Sequence, residues 1–146
     1  MRRLLLVGIL AAAVACGSPV HAGAPNGSIT TAAVQAMAEQ TFPLVPAYGY
    51  YGVCGLTGDV SGCPYTPRLK ARLAELKATL CRCRNPAPTL QVTATVTGAN
   101  TGVAHVKYGS ETFDLAAVRQ NGQVLVDDET CAGRRSTSIY ETLVAC

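Results

Sequence analysis

The sequence predicts an α+β fold in which two N-terminal helices pack on a curved antiparallel meander of four to five strands. Disulfide bonds are expected to stabilise this domain. Apolar residues recur at helical spacing in the first half of the chain, and at every second position from residue 89 onward. The chain also has seven cysteines, many for its length. At 146 residues it has room for a single domain, which we place at residues 29–146.

Residues 1–15 predict a secretory signal peptide. Arg2 and Arg3 supply positive charge, and residues 4–15 form an apolar run of twelve. A helix needs ~20 apolar residues to cross a bilayer, so this run is too short to be a membrane span. We therefore expect the chain to be exported.

Two processing sites compete at the end of this leader. Cys16, followed by Gly and Ser, resembles a bacterial lipobox, in which the cysteine is acylated, although Ala13 stands where that pattern usually has Leu. The alternative is a freely secreted protein cleaved after Ala22, in the small-residue sequence VHA. We favour lipidation of Cys16, which makes the membrane a partner through the lipid anchor. Residues 16–28, rich in small residues, Gly and Pro, are then a flexible tether.

Two helices are predicted before the strands. The first begins at Thr30 or Thr31, either of which can cap it, and the next proline ends it. The second begins at Thr66, leucines at 69, 73, 76 and 80 share one of its faces, and Asn85-Pro86 is expected to end it. Between the two helices, residues 44–65 are rich in glycine and tyrosine and predict a long loop or short irregular elements.

From residue 89 the apolar period changes to two. The stretch TLQVTATVT alternates apolar side chains with Gln and Thr, and it is followed by turns at GANTG, GSE and Asn121-Gly122. Asn-Gly between alternating segments is the strongest hairpin signal in the chain. The pattern predicts four consecutive antiparallel strands between residues 89 and 128. Residues 136–146 are expected to add a fifth strand or to lie across the sheet.

The cysteines predict a disulfide framework. Setting Cys16 aside leaves an even set: Cys54, Cys63, Cys81, Cys83, Cys131 and Cys146. A metal site has little support, because C-x-C occurs once and C-x-x-C never, and we predict no cofactor. Cys54 and Cys63 are expected to bond each other. A ring between Cys81 and Cys83 would be strained, so each is expected to reach a distant partner, Cys131 or Cys146.

Two helices followed by a four-stranded meander resemble the NTF2-like (cystatin-like) α+β cone. The sharpest local similarity is RQNGQVLVDD, residues 119–128, which resembles the last hairpin of that superfamily; Trp usually stands there in place of Val124. The resemblance covers residues 89–128 and, by element order, residues 31–82. It implies a fold and no particular activity, because that superfold hosts isomerases, dehydratases, transport factors and inert scaffolds.

Enzymes of this superfamily that resemble ketosteroid isomerase carry an Asp or His, often with a Tyr, inside the cone. Period-two alternation predicts the inward-facing residues here: Leu90, Val92, Ala94, Val96, Ala104, Val106, Tyr108, Phe113, Leu115, Ala117, Val124 and Val126. Tyr108 is the polar member of this set, and His105 and Asp127 fall on the outer face. We therefore predict no general acid–base pair inside, and residues 127–129 are expected to be a solvated acidic run.

The charge balance argues against nucleic acid as a partner. Removing Arg2 and Arg3 with the leader leaves ten basic residues against nine acidic ones, a net charge of +1. Half of the chain's basic residues fall in residues 68–84. They form either a patch for anionic headgroups or cell-wall polymers, or an ordinary solvated helix face, which we favour.

These features predict an exported, membrane-anchored, non-catalytic binding or scaffold domain of the bacterial cell envelope. The alternative is a small isomerase or cyclase-type enzyme that uses the cone interior. The candidate binding residues are four tyrosines around the Cys54–Cys63 loop: Tyr48, Tyr50, Tyr51 and Tyr65. Their rings either fill the mouth of the cone as core or form a binding lip, because Tyr joins an apolar body to a polar tip. The expected partner is a small apolar ligand or another envelope component.

Overall fold

The computed structural model describes residues 27–83, 85–131 and 138–141. These residues form the following elements: α1 (Thr31–Thr41), β1 (Leu44–Val45), β2 (Tyr50–Tyr51), α2 (Pro67–Leu76), a 3-10 turn (Leu80–Arg82), β3 (Leu90–Gly98), β4 (Thr101–Tyr108), β5 (Glu111–Gln120) and β6 (Gln123–Cys131). The predicted α+β class is therefore confirmed. The predicted signal peptide, the lipidation site Cys16 and nearly all of the tether lie outside the described residues.

Helix α1 begins where the sequence predicts. The hydroxyl of Thr30 accepts a hydrogen bond from the backbone N–H of Ala33 at 3.2 Å, which satisfies one of the free donors of the first turn. The helix buries Val34, Met37, Ala38 and Thr41. The side chain of Val34 packs directly on the backbone of β4, because a Cβ placed on Gly102 would be only 2.8 Å from Cγ2 of Val34. A side chain at residue 102 would therefore force Val34 to shift.

Helix α2 begins as predicted but ends earlier. Thr66 caps it by accepting a hydrogen bond from the N–H of Leu69 at 3.2 Å, and proline occupies its first turn. The helix ends at Leu76 because Lys77 adopts a left-handed conformation, φ 50° and ψ 42°. The predicted continuation through Leu80 to Asn85-Pro86 is wrong. Leu80 is fully buried, but it lies in the 3-10 turn instead.

Strands β3 to β6 form one antiparallel sheet in the order β3-β4-β5-β6. Each strand pairs with its neighbour in sequence, as in Ala94 with Ala104 and Ala104 with Leu115. The turn between β5 and β6 is the predicted Asn-Gly turn, in which Asn121 and Gly122 have φ values of 52° and 80°. The predicted four-strand meander is therefore confirmed.

One face of this sheet carries the core. The predicted inward residues of β4 and β5 are buried, with Val126 of β6: Ala104, Val106, Tyr108, Phe113, Leu115 and Ala117. Four of the others are only partly buried: Leu90, Val92, Ala94 and Val124. Val96 pairs with Gly102 on the same face but is 39% exposed, so it lies at the uncovered end of that face. The buried face thus tapers toward edge strand β3.

A β-bulge changes which acids face the core. Ala117 pairs with Val126 and Ala116 with Asp128, so Asp127 is an extra residue in β6. Because side chains alternate along a strand, one extra residue moves every later side chain to the opposite face. Glu129 therefore shares the inner face and has 0% exposure. Two predictions are wrong: that the inner face carries no acid, and that Glu129 is solvated.

The segment between the helices is more regular than predicted. Strands β1 and β2 form a two-stranded hairpin in which Leu44 pairs with Tyr51 and Val45 with Tyr50. Tyr51 and Ala87 exchange backbone hydrogen bonds of 2.7 and 3.2 Å, which tie this hairpin to the chain just before β3. The hairpin is therefore anchored to the domain at the end of β2, and the turn between β1 and β2 projects from it.

The predicted fifth strand can be followed only at residues 138–141. There Ser138 forms an isolated bridge with Thr130 of β6, and the following residues are turns. Ile139 has 0% exposure and joins the core, and its N–H donates to the backbone oxygen of Glu129 at 3.0 Å. This short segment packs against β6 without forming a strand, and the rest of residues 136–146 lies outside the described residues.

Candidate functional site

The four candidate tyrosines divide into two pairs. Tyr48 is 75% exposed and Tyr50 is 46% exposed. Tyr51 is half-buried, and Tyr65 is 2% exposed, with its hydroxyl donating to the backbone oxygen of Cys54 at 2.9 Å. Tyr65 and Tyr51 are therefore held by the domain, whereas Tyr48 and Tyr50 face solvent.

The exposed pair belongs to an apolar surface on the β1–β2 hairpin. We define the hairpin surface by three exposed side chains: Val45, Tyr48 and Tyr50. Leu44 is also exposed, but it pairs with Tyr51 and so lies on the opposite face of the hairpin. Val45 and Tyr50 are directly opposite in the ladder and share a face, and Tyr48 lies in the turn between the strands. Within the described residues, the other large exposed apolar side chains are Leu56 and Val96. Apolar exposure is thus concentrated on this hairpin.

A disulfide braces the loop that follows the hairpin. Cys54 and Cys63 are bonded, as predicted, across a sequence separation of 9. By loop-closure entropy, a bridge of this span stabilises the fold by about 2.5 kcal/mol. Cys63 is 5% exposed, and the N–H of Cys54 donates to the oxygen of Thr41 at 2.8 Å. The bond therefore joins the loop to the core beneath it.

A second disulfide differs from the prediction. Cys81 and Cys83 are bonded to each other, across a sequence separation of 2, so the expectation of two distant partners is wrong. Cys131 is also a disulfide cysteine, and Cys146 lies outside the described residues. Closing so short a loop contributes only about 1.5 kcal/mol by the same entropy argument. The Cys81–Cys83 bond therefore does not staple a helix end to the C-terminal tail.

The backbone at this bond is unusual. Cys81 and Arg82 both have positive φ, 67° and 52°, a region that residues with a Cβ adopt at a cost of about 1–2 kcal/mol each. The N–H of Cys81 donates to Oε2 of Glu129, and Nε of Arg82 lies 3.4 Å from Oε1 of the same carboxylate. We call residues 79–83 the cysteine corner. Glu129, arriving from β6, holds its backbone in place.

Glu129 and Arg82 form a buried ion pair that sequence reasoning missed. The side chain of Arg82 is 6% exposed and that of Glu129 is 0% exposed. Burial raises the pKa of the Glu129 carboxyl to about 7, and the Cys81 N–H and the Arg82 guanidinium partly offset this effect. Burial, with a smaller contribution from Glu129, also raises the pKa of Tyr65. The core thus contains an acid whose charge depends on neighbouring donors.

A cavity of about 610 Å³ lies beside the cysteine corner, lined by Cys81, Arg82, Cys83, Asn85, Pro86, Ala87, Pro88, Tyr108, Gly109, Ser110 and Glu111. The hydroxyl of Tyr108 donates to the backbone oxygen of Tyr51 and accepts the N–H of Ala87 at 3.0 Å. Burial raises the pKa of Tyr108, an effect that the Ala87 N–H partly offsets. The one phenol predicted for the cone interior is therefore occupied by backbone partners.

The polar side chains assigned to the outer face pair there with one another. Nδ1 of His105 lies 2.7 Å from Oδ1 of Asp114, and both side chains are partly exposed. Asp127 receives hydrogen bonds from Arg68 at 3.2 and 2.5 Å and from the hydroxyl of Thr66 at 2.9 Å. Asp127 therefore fixes the start of α2 against β6. Among the described residues, no three His, Cys, Asp or Glu side chains are grouped as metal ligands would be.

No protein-family model, curated protein or solved structure matches this chain. Within residues 27–83, 85–131 and 138–141, no helix is long and apolar enough to cross a membrane. The two candidate sites of the described residues are the hairpin surface and the cysteine corner with its cavity.

Proposed function

We propose that this protein is an exported binding domain of the bacterial cell envelope, anchored through lipidated Cys16, with the hairpin surface as its contact site. The proposed architecture is an NTF2-like cone, in which α1 and α2 pack on a curved sheet. The order of helices and strands and the β3-β4-β5-β6 meander support this architecture. Free secretion after cleavage at Ala22 is the alternative to lipidation.

The hairpin surface is the observation that carries the proposal. Monomeric proteins rarely leave large apolar side chains clustered in solvent without a partner. Here Val45, Tyr48 and Tyr50 are 36%, 75% and 46% exposed on one short hairpin. Tyrosine suits a surface that is alternately free and bound, because its ring buries apolar area and its hydroxyl stays hydrated.

The hairpin is also presented rigidly, which lowers the entropic cost of binding. Its base exchanges hydrogen bonds with Ala87, and the N–H of Gly52 donates to the oxygen of Pro43 at 2.8 Å. The Cys54–Cys63 bond then fixes the chain that leaves it. A tether of about a dozen residues would leave this surface free to meet another envelope component near the membrane.

The alternative, an isomerase or cyclase acting inside the cone, has less support. Acid–base catalysis needs a side chain free to reach the substrate. Tyr108 is engaged by Tyr51 and Ala87, and Glu129 is paired with Arg82 behind the cysteine corner. These contacts favour binding as the role of the fold.

Site-specific photo-crosslinking tests this function. A benzoylphenylalanine in place of Tyr48 is expected to form one dominant adduct in cells, whereas the same residue in place of Asn100, exposed in the β3–β4 turn, is not. Val45→Ser with Tyr50→Ser should abolish the adduct and leave the melting temperature unchanged, because both side chains face solvent. Equal adducts at both positions would show that the hairpin is ordinary surface.

Membrane fractionation tests the anchor in the same cells. Cys16→Ala is expected to move the protein from the membrane to the soluble fraction, since a single lipidated cysteine is the proposed attachment. A mature wild-type chain that begins at Gly23 and carries no acyl mass would overturn the lipoprotein assignment without affecting the hairpin proposal.

A further inference from the structure

We propose that Cys81–Cys83 is a redox-active disulfide that exchanges with the thiols of client proteins at the cavity beside it. This activity would be separate from binding at the hairpin surface, because the two sites share no residue. The proposal rests on three features of the described residues: the span of the bond, the position of its two sulfurs, and the charged groups that hold it.

The span of the bond argues against a structural role. It joins residues only two apart and constrains no second element, whereas the Cys54–Cys63 bond closes a loop of sequence separation 9. Positive φ at Cys81 and at the intervening Arg82 places both residues in a region that side chains with a Cβ disfavour. Reduction would release this backbone, so the oxidised pair is held less firmly than an ordinary bridge.

The two sulfur-bearing residues are unequally exposed. Cys81 is 1% exposed, whereas Cys83 is half-buried, and both line the cavity of about 610 Å³. Gly109 and Ser110 also line this cavity, and as small residues they leave room for an extended client segment. A client thiolate would therefore attack Sγ of Cys83, the more exposed of the two residues.

The exchange balances as two displacements. The client thiolate forms a bond to Sγ of Cys83, the Cys81–Cys83 bond breaks, and the electron pair leaves on Sγ of Cys81, which takes up a proton. The client's second thiolate attacks the client sulfur of this mixed disulfide and releases Cys83 as a thiolate. The client dithiol is oxidised by two electrons and the cysteine pair is reduced by two. A low-molecular-weight disulfide reoxidises the pair by the reverse sequence.

The charged groups of the corner hold the cysteine pair in this arrangement. Arg82, the residue between the two cysteines, is buried and paired with Glu129. Glu129 acts as a positioning residue, because its carboxylate accepts the Cys81 N–H and lies 3.4 Å from Nε of Arg82. It fixes both Cys81 and the cation beside it.

Redox equilibration of the mature chain tests the proposal without any substitution. The protein is incubated in buffers of graded reduced and oxidised glutathione, quenched with acid, alkylated and digested with trypsin. Cleavage after Arg82 separates ATLCR from CR, so only a Cys81–Cys83 bond holds these two peptides together. Cys131 and Cys146 fall in other tryptic peptides, and Cys54 and Cys63 share one, so each pairing has its own mass.

We expect the Cys81–Cys83 bond to be reduced more easily than the Cys54–Cys63 bond. Half of it should be reduced at a ratio of reduced to oxidised glutathione at least a hundredfold lower than the ratio that reduces half of Cys54–Cys63. Glu129→Gln should shift the ratio for Cys81–Cys83 by tenfold or more and leave that for Cys54–Cys63 unchanged. A tryptic map that joins Cys81 to Cys131 or Cys146 would overturn the proposal, as would equal resistance of the two bridges to reduction.

A client assay provides the second measurement. Stoichiometric oxidation of a reduced, unfolded dithiol protein is expected from the wild-type chain and from the matched control Cys54→Ala/Cys63→Ala, but not from Cys83→Ala. In Cys81→Ala, Cys83 is first converted to its mixed disulfide with glutathione; a client with a single thiol should then displace reduced glutathione and remain bonded to Cys83. Equal oxidation by wild type and Cys83→Ala, or trapping on another cysteine, would contradict the assigned role of Cys83.

Discussion

The Cys54–Cys63 loop and the cysteine corner each contain a local disulfide, but they are held in different ways. In the loop, positive φ falls on glycines, with Gly55 at 81° and Gly58 at 94°, where it costs little. In the corner it falls on Cys81 and Arg82, which carry side chains. The loop can relax around its bond, whereas the corner needs an external group to maintain its backbone.

The hydrogen bonds of the two regions show the same difference. The loop ends in backbone pairing with β6, where Thr66 N–H donates to Val126 at 2.9 Å and Val126 N–H donates to Pro64 at 2.7 Å. The corner instead uses a buried carboxylate, that of Glu129, which is removed from water. Distributed neutral bonds tolerate the loss of one partner. A corner that depends on one buried charge does not.

The largest expected effect follows from removing that charge. Glu129→Ala leaves Arg82 buried without its carboxylate and the Cys81 N–H without its acceptor, so we expect the free energy of unfolding to fall by about 3–5 kcal/mol. The control is Glu75→Ala, which breaks the exposed pair with Arg72 and should cost less than about 0.5 kcal/mol. Urea denaturation measures both. Similar losses in the two variants would mean that the corner does not depend on Glu129.

The second prediction concerns pH. Burial raises the pKa of Glu129 from an ordinary value of 4.5 to about 7, so the folded state binds this proton more tightly than the unfolded state. The resulting stability is fully present below pH 4.5 and is lost as the pH rises through 7. The expected loss across this window is about 3 kcal/mol.

Glu129→Gln isolates this contribution, because Gln keeps a similar shape and does not titrate. As the pH is raised from 4.5 to 7.5, the free energy of unfolding of the wild type is expected to fall relative to that of Glu129→Gln. Other carboxylates cancel in the difference, since they are present in both proteins. A pH-independent difference would show that Glu129 is already ionised across the window.

Much of the loop and sheet could be predicted from the sequence, and much of the corner could not. The caps at Thr30 and Thr66, the Asn121-Gly122 turn and the Cys54–Cys63 bond depend on residues close in sequence. Local preferences of side chains and backbone therefore suffice to predict them.

The corner depends on residues far apart. Glu129 faces inward only because Asp127 bulges out of β6, and period-two alternation contains no sign of one extra residue. Helix α2 ends at Leu76, and the left-handed residue after it is Lys77 rather than Gly or Asn, so no ordinary C-terminal signal precedes the corner. The adjacent acids at 127–129 were the available signal: a run of three in a strand must place at least one side chain toward the core.

The smallest effect is the difference between removing the two disulfides. Cys54→Ala/Cys63→Ala is expected to lower the free energy of unfolding by about 2.5 kcal/mol, because the longer loop regains more entropy when unfolded. Cys81→Ala/Cys83→Ala should lose at most about 1.5 kcal/mol. Relief of the two positive-φ residues offsets part of this loss, since the corner no longer has to hold them.

Calorimetry of both variants should therefore show a drop of several degrees in melting temperature for the loop and a smaller shift for the corner. A larger loss at the corner would mean that its bond supports distant packing, and the distinction between a structural bridge and an exchangeable one would then fail.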